Sequence, residues 1–103
     1  MYIKTRRQSL MATACARHIL VKTKEEAEII KKQLAEGKDF ALLAKKHSLC
    51  KSSSKKGGDL GEFSPGKMVK AFDNVVFKKP VLKIHGPIKT QFGFHLIETI
   101  YRS

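Results

Sequence analysis

The sequence predicts an α+β domain in which one strand leads into helices, a second strand into a third helix, and two strands close the chain. Three observations carry this. Small or polar residues alternate with apolar ones from Thr13 to Val21 near the start, and alternation returns in HLIETIY near the end. Helical spacing recurs after Thr23, after Asp39 and around Phe72, and glycines punctuate GGDLGEF and QFG. At 103 residues there is room for one domain with one modest core.

Residues 1–12 are unlike the rest, with Lys4, Arg6 and Arg7 in a basic stretch without periodicity; they read as a frayed leader ahead of a domain at 13–103. Thr13 to Val21 alternates and ends in β-rich HILV, a first strand. Thr23 offers a helix cap, with Glu26 three residues on to complete a capping box and Ala27, Ile30 and Leu34 on one apolar face; Gly37 ends the helix. Asp39 caps the next helix, where Phe40, Leu43 and Ala44 face the core and Lys45 and Lys46 complement the helix C-terminus. From Ser48 to Gly58, serines, lysines and paired glycines oppose both helix and strand and predict a loop. Leu60 to Phe63 reads as a short strand, Pro65-Gly66 as a turn, and Met68, Val69, Phe72 and Val76 as a third helix. Gly86 to Thr90 and Phe94 to Tyr101 form a final hairpin turning near Gly93.

Composition narrows the partners. The formal net charge is +12, and without the leader's three charges the remaining 18 Lys and Arg against 9 acids still leave +9. Such a surface attracts polyanions through a salt-dependent field, so weak nucleic-acid binding is one expectation. The charges are dispersed as KK pairs, however, which suits solvated helix faces and loops. Two cysteines without CxxC spacing give no support to a disulfide framework, a zinc site or a thioredoxin-like motif, and favour a reducing compartment. No apolar run approaches the roughly 20 residues that span a bilayer, and the N-terminus lacks a signal peptide's apolar core. A soluble, cytoplasmic, membrane-independent monomer is the expectation.

The order HILV, FALLAKKHSLC, GGDLGEF, GKMVKAFDNVVF, GPIKTQFGFHLI resembles the parvulin family of peptidyl-prolyl cis/trans isomerases (rotamases), and most of all its small, free-standing bacterial type, from about His18 to Tyr101. The resemblance implies a parvulin, FKBP-like fold: a four-stranded antiparallel sheet flanked by helices in the order β, helices, β, α, β, β. It also makes the strands that carry His18 and His95 the central neighbours. The resemblance further implies an isomerase without cofactor or metal, acting on proline-containing peptides and unfolded polypeptides in protein folding and chaperone-like work.

The reaction makes specific demands. Turning an X–Pro bond destroys amide resonance against a barrier of roughly 20 kcal/mol, while no bond to carbon is made or broken. A catalyst must prefer the twisted amide to both planar forms. By resemblance, Met68, Phe72 and Phe92 form the proline pocket, Leu60 adds an apolar wall, and Thr90 and Gln91 are polar rim positions. Met68 and Phe72, four apart, are expected on one helix face. His18 and His95 match the family's paired histidines, whose shared hydrogen bond suits a structural-electrostatic role or a proton relay. Cys50 matches the position holding Cys or Asp near the substrate carbonyl, where a polarisable or negative atom stabilises a twisted amide; flanking Lys51, Lys55 and Lys56 could favour its thiolate. Cys15 matches no family site and reads as a small buried hydrophobe.

Departures from the family pattern also inform. Phosphate-directed parvulins carry a longer basic loop after the first strand, whereas here Lys22 runs through Thr23 directly into a helix. No requirement for phosphoserine or phosphothreonine is expected. Phe92 stands where those enzymes have a small polar residue, predicting a preference for uncharged or apolar residues before proline. Two rivals remain: a non-catalytic module holding proline segments or nucleic acid, and Cys–His hydrolysis. The second lacks any identifiable orienting third group or oxyanion motif.

Overall fold

A computed structural model describes residues 12–103. The expected basic leader therefore lies outside the described residues, apart from Ala12. The elements are β1 (Ala14–Val21), α1 (Lys24–Ala35), α2 (Phe40–His47), α3 (Lys51–Ser54), β2 (Asp59–Phe63), α4 (Lys70–Lys78), β3 (Ile84–Thr90) and β4 (Gly93–Arg102). All strand pairs are antiparallel, in the order β2-β1-β4-β3, so β1 and β4 are the central neighbours, as expected.

Alternation along the two central strands sorts their side chains into two cores. Ile19, Val21 and Leu96 turn to one face and are covered by Ala27 and Ile30 of α1 with Phe40 and Ala44 of α2. Ala14, Ala16 and Ile97 turn to the other, beneath Phe72, Val75 and Val76 of α4. Register places His18 opposite Ile97 and Leu20 opposite His95, so both histidines stand on the α4 face, where that helix stops short of covering the sheet.

The predicted caps form. Thr23 Oγ1 accepts from the Glu26 amide at 3.1 Å, and Asp39 Oδ2 accepts from the Leu42 amide at 3.0 Å. Only half of the expected capping box is made, because the Glu26 carboxylate meets the Thr23 hydroxyl at 3.5 Å. On the sheet, Arg17 pairs with Glu98 at 2.7 Å while its guanidinium lies 4.3 Å from the centre of the Phe40 ring.

Three boundaries differ from the expectation. The last hairpin begins at Ile84, two residues before Gly86. Helix α4 begins at Lys70, because Val69 is extended (φ −61°, ψ 153°) and serves as its cap, so Met68 lies ahead of the helix and not on its face. The segment Ser48–Gly58, expected to be loop throughout, contains the helical turn α3. Its Ser53 and Ser54 amides both bond to the Cys50 carbonyl, at 3.3 and 2.8 Å. A tertiary requirement supports that turn. β2 pairs with β1 only as far as Arg17, leaving the backbone of His18 to Leu20 in need of partners on that side. The connecting segment provides them: the His18 amide donates to Gly58 O (2.9 Å), Leu20 N–H donates to Ser48 Oγ (3.0 Å), and Leu49 N–H donates to Leu20 O (2.7 Å).

Candidate functional site

Where α4 ends its cover of the sheet, a cavity of about 470 Å³ opens between the central strands, the Ser48–Gly58 segment and the final hairpin turn. Its wall is almost entirely apolar. Leu60 of β2, Met68 and Val69 before α4, Phe72 in its first turn, Leu20 of β1, Leu49 and Phe92 surround the space; His18, His95, Cys50 and Ser52 supply its polar groups.

Position follows from local folding. Phe72 is buried and sets its ring edge-on to both imidazoles, with centroids 5.4 Å from His18 and 5.5 Å from His95. Met68 reaches the cavity from the bend between the Pro65-Gly66 turn and the extended Val69, and the Gly66 amide donates to Asp73 Oδ2 at 2.6 Å. Phe92 sits at the tip of the β3–β4 turn with 59% of its surface exposed, and Leu49 on the opposite rim is 50% exposed. Large apolar side chains left in water at a cavity mouth are poised to close on something apolar.

The two histidines are joined at the cavity floor. His18 Nδ1 and His95 Nδ1 are 3.0 Å apart with ring planes inclined by 17°, and the residues are 5% and 4% exposed. Their outer nitrogens are engaged too, His18 Nε2 with Ser53 Oγ at 3.2 Å and His95 Nε2 with Thr90 Oγ1 at 2.7 Å. Burial, joined at His18 by the proximity of His95, holds both imidazoles down to about 4, so the pair is neutral at physiological pH. A neutral pair orients dipoles without presenting a charge.

Cys50 caps α3 at the cavity rim, half-buried, with Sγ 3.6 Å from Ser52 Oγ. Burial pushes its thiol up, but the hydroxyls and amides of Ser53 and Ser52 outweigh that and hold it below the ordinary value. Hydroxyls and amides, and not the expected Lys51, Lys55 and Lys56, lower this thiol; all three lysines are exposed. Cys15, expected to be a buried hydrophobe, is instead only half-buried beside Asp59 and is no part of the cavity. Burial and the Asp59 carboxylate push its thiol up.

Of the nine sequence-predicted site residues, seven line the cavity: His18, Cys50, Leu60, Met68, Phe72, Phe92 and His95. The two rim positions do not. Thr90 lies behind His95 as its hydrogen-bond partner, and Gln91 is exposed at the turn. Sequence reasoning missed Leu20, Leu49, Val69, Ser52 and Ser53. The alternation that placed His18 on the inner face also places Leu20 there, two residues on.

The profile of the PPIC-type PPIASE domain matches residues 2–102. This chain belongs to the parvulin family. Among its relatives, the foldase protein PrsA of Exiguobacterium sibiricum is 56% identical over 88 residues, which cover 84% of this parvulin chain and 29% of that protein. The structure of peptidylprolyl isomerase PrsA from Bacillus anthracis superposes with a TM-score of 0.86 at 37% identity, covering 89% of this chain and 42% of that one. NmPin, the parvuline of Nitrosopumilus maritimus, superposes at 0.78 with 40% identity, covering 86% of this chain and 96% of NmPin. The parvulin chain thus spans under a third of the curated PrsA relative and nearly all of NmPin. The expected α+β fold, with four antiparallel strands and flanking helices, is the one its solved relatives share.

Proposed function

We propose that this domain accelerates cis/trans isomerisation of X–Pro bonds in peptides and unfolded polypeptides by non-covalent stabilisation of the twisted amide. The observation that carries this reading is a neutral, hydrogen-bonded histidine pair lying beneath an apolar cavity whose rim holds Cys50.

The prolyl ring enters the cavity against Met68, Phe72 and Leu60, and Phe92 closes over it. Once the ring is gripped, rotation of the preceding carbonyl is the motion left free. As the C–N bond loses its double-bond character, charge redistributes over carbonyl and nitrogen, and each preference of about 1.4 kcal/mol for that state is worth tenfold in rate. His18 and His95 supply fixed dipoles at no cost of reorganisation, and the Cys50 sulfur supplies a polarisable surface near the turning carbonyl. Proton transfer is not needed.

Two features support the expected selectivity. Only Lys22 and Thr23 separate β1 from α1, leaving no room for an arginine cluster to hold a phosphate. Phe92 and Leu49, both largely exposed on opposite rims, favour an apolar residue before proline. The names of the PrsA relatives support action on unfolded chains as well as peptides. Free thiols at Cys15 and Cys50 support a reducing, cytoplasmic location, which fractionation of the host cell tests.

Exchange NMR on Ala-X-Pro-Phe tetrapeptides reads the reaction directly. Faster exchange with X = Leu than with X = Glu or phosphoserine is expected. Unchanged exchange for every peptide at stoichiometric protein would overturn the assignment, and steep salt-dependent DNA binding in the same sample would replace it with a nucleic-acid-binding role.

A further inference from the structure

Three of the cavity's apolar walls, Met68, Val69 and Phe72, lie within residues 66–73, and they are not held alike. Phe72 is anchored in the core, with 2% of its surface exposed and its ring edge-on to both imidazoles. Met68 and Val69 lie ahead of α4, half-buried at the margin of that core. Met68 makes no backbone hydrogen bond among the described residues, and the Lys67 amide before it reaches Ser64 O only at 3.3 Å. Side-chain packing by itself leaves this wall loosely placed.

One contact ties the segment into a loop. The Gly66 amide donates to Asp73 Oδ2, seven residues on, at 2.6 Å, which is short even for a charged acceptor. Gly66 makes its turn at φ +93°, a conformation that residues with a side chain rarely adopt. Asp73 stands in the first turn of α4, where a side chain leans back towards the helix N-terminus and its positive end. Val69, at the cap position, contributes no side-chain bond there. The other carboxylate oxygen, Asp73 Oδ1, is enclosed and has no partner among the described residues. An enclosed acceptor left unpaired is costly, and keeping Oδ2 on the Gly66 amide gives that cost a reason.

We propose that Asp73 is a positioning residue for the ring pocket: by closing the loop from Gly66 it holds Met68 and Val69 in place before a prolyl ring arrives. An apolar wall that is already ordered does not have to be ordered by the substrate, and the conformational entropy saved shows as affinity. Phe72 and the two histidines are held without this bond, so the turning of the amide is left as it was and the effect falls on KM and not on kcat. The bearing on affinity rests on the isomerase reading above; the hold on Met68 does not.

Methyl spectra of the full chain with ¹³C-labelled methionine read that hold directly, and Met68→Leu assigns the signal among the three methionines. In Asp73→Ala the Met68 methyl is expected to move to the position of free methionine. KM for Ala-Leu-Pro-Phe should rise about fivefold, with kcat within about twofold of the parent. Asp73→Asn keeps an acceptor for the Gly66 amide and should bring both readouts most of the way back. An unmoved Met68 methyl in Asp73→Ala, or a fall in kcat at unchanged KM, overturns the proposal, and so does Asp73→Asn behaving as Asp73→Ala. Should Asp73→Ala fail to fold, the Gly66 amide proton decides: low field in the parent and a shift upfield in Asp73→Asn are expected, and an ordinary glycine position in the parent overturns the bond. A Met68 methyl that moves in a protein without isomerase activity removes the reaction and leaves the loop closure standing.

Discussion

The imidazoles of His18 and His95 meet Nδ1 to Nδ1 at 3.0 Å, and burial keeps both uncharged to about pH 4. In an unfolded chain a histidine titrates near 6.5. Between those values the unfolded state binds more protons than the native one, so stability rises with pH across the window. It is full above about 6.5 and is lost as pH falls towards 4. Thermal melts from pH 7 to 4 should show the melting temperature dropping by several degrees within that interval; a flat profile contradicts the neutral pair.

Met68 and Phe72 separate pocket from core. Met68→Ala removes a half-buried side chain from the bend ahead of α4, and turnover should fall at least about tenfold with little change in melting temperature. Phe72 is buried and touches both imidazoles, so Phe72→Ala should cost about 3–5 kcal/mol of stability, seen by urea unfolding. Met68→Ala with full activity would remove the ring pocket assigned to this cavity.

If Cys50 acts by polarisability and position, Cys50→Ser should keep turnover within about tenfold of the parent. A covalent nucleophile would not survive that change, and loss of all exchange enhancement would favour attack by sulfur.

Gly58 lies at φ +92°, and a methyl group there would sit 2.5 Å from the His18 carbonyl oxygen and 3.1 Å from the Phe40 ring. Gly58→Ala should therefore destabilise by about 2 kcal/mol or more and reduce turnover as the Cys50 segment shifts. Equilibrium unfolding measures the first effect and peptide exchange the second.

Thr99 is fully buried, and its hydroxyl has no partner among the described residues. Thr99→Val keeps the shape and removes the orphan, so melting temperature should rise by a few degrees, equivalent to about 1 kcal/mol. A fall would reveal a hydrogen bond that the hydroxyl makes in solution.

The element order and both helix caps were legible because their signals are local. Thr23 and Asp39 cap through contacts three residues away, and alternation along Thr13 to Val21 and along HLIETIY sorts the two faces of the sheet. The cavity itself was legible only through the family resemblance, since Met68, Phe92 and Cys50 line it from three separate connecting segments. Ser53 was not legible at all. It stands among serines of equal propensity, and only the unpaired edge of β1 decides which of them turns to His18. The start of α4 was misread because i, i+4 spacing between Met68 and Phe72 imitates a helix face even where Val69 is extended.

His18 grips the Cys50 segment twice, by its amide at Gly58 O and by its ring at Ser53 Oγ. One residue thus acts as a gauge for the stretch between them. Adding or deleting a single residue there would leave one grip unmade, a constraint that surface loops of the same length and composition do not face. Sequence drift in this stretch is free in side chain at Lys55 and Lys56, which point to water, and fixed in length.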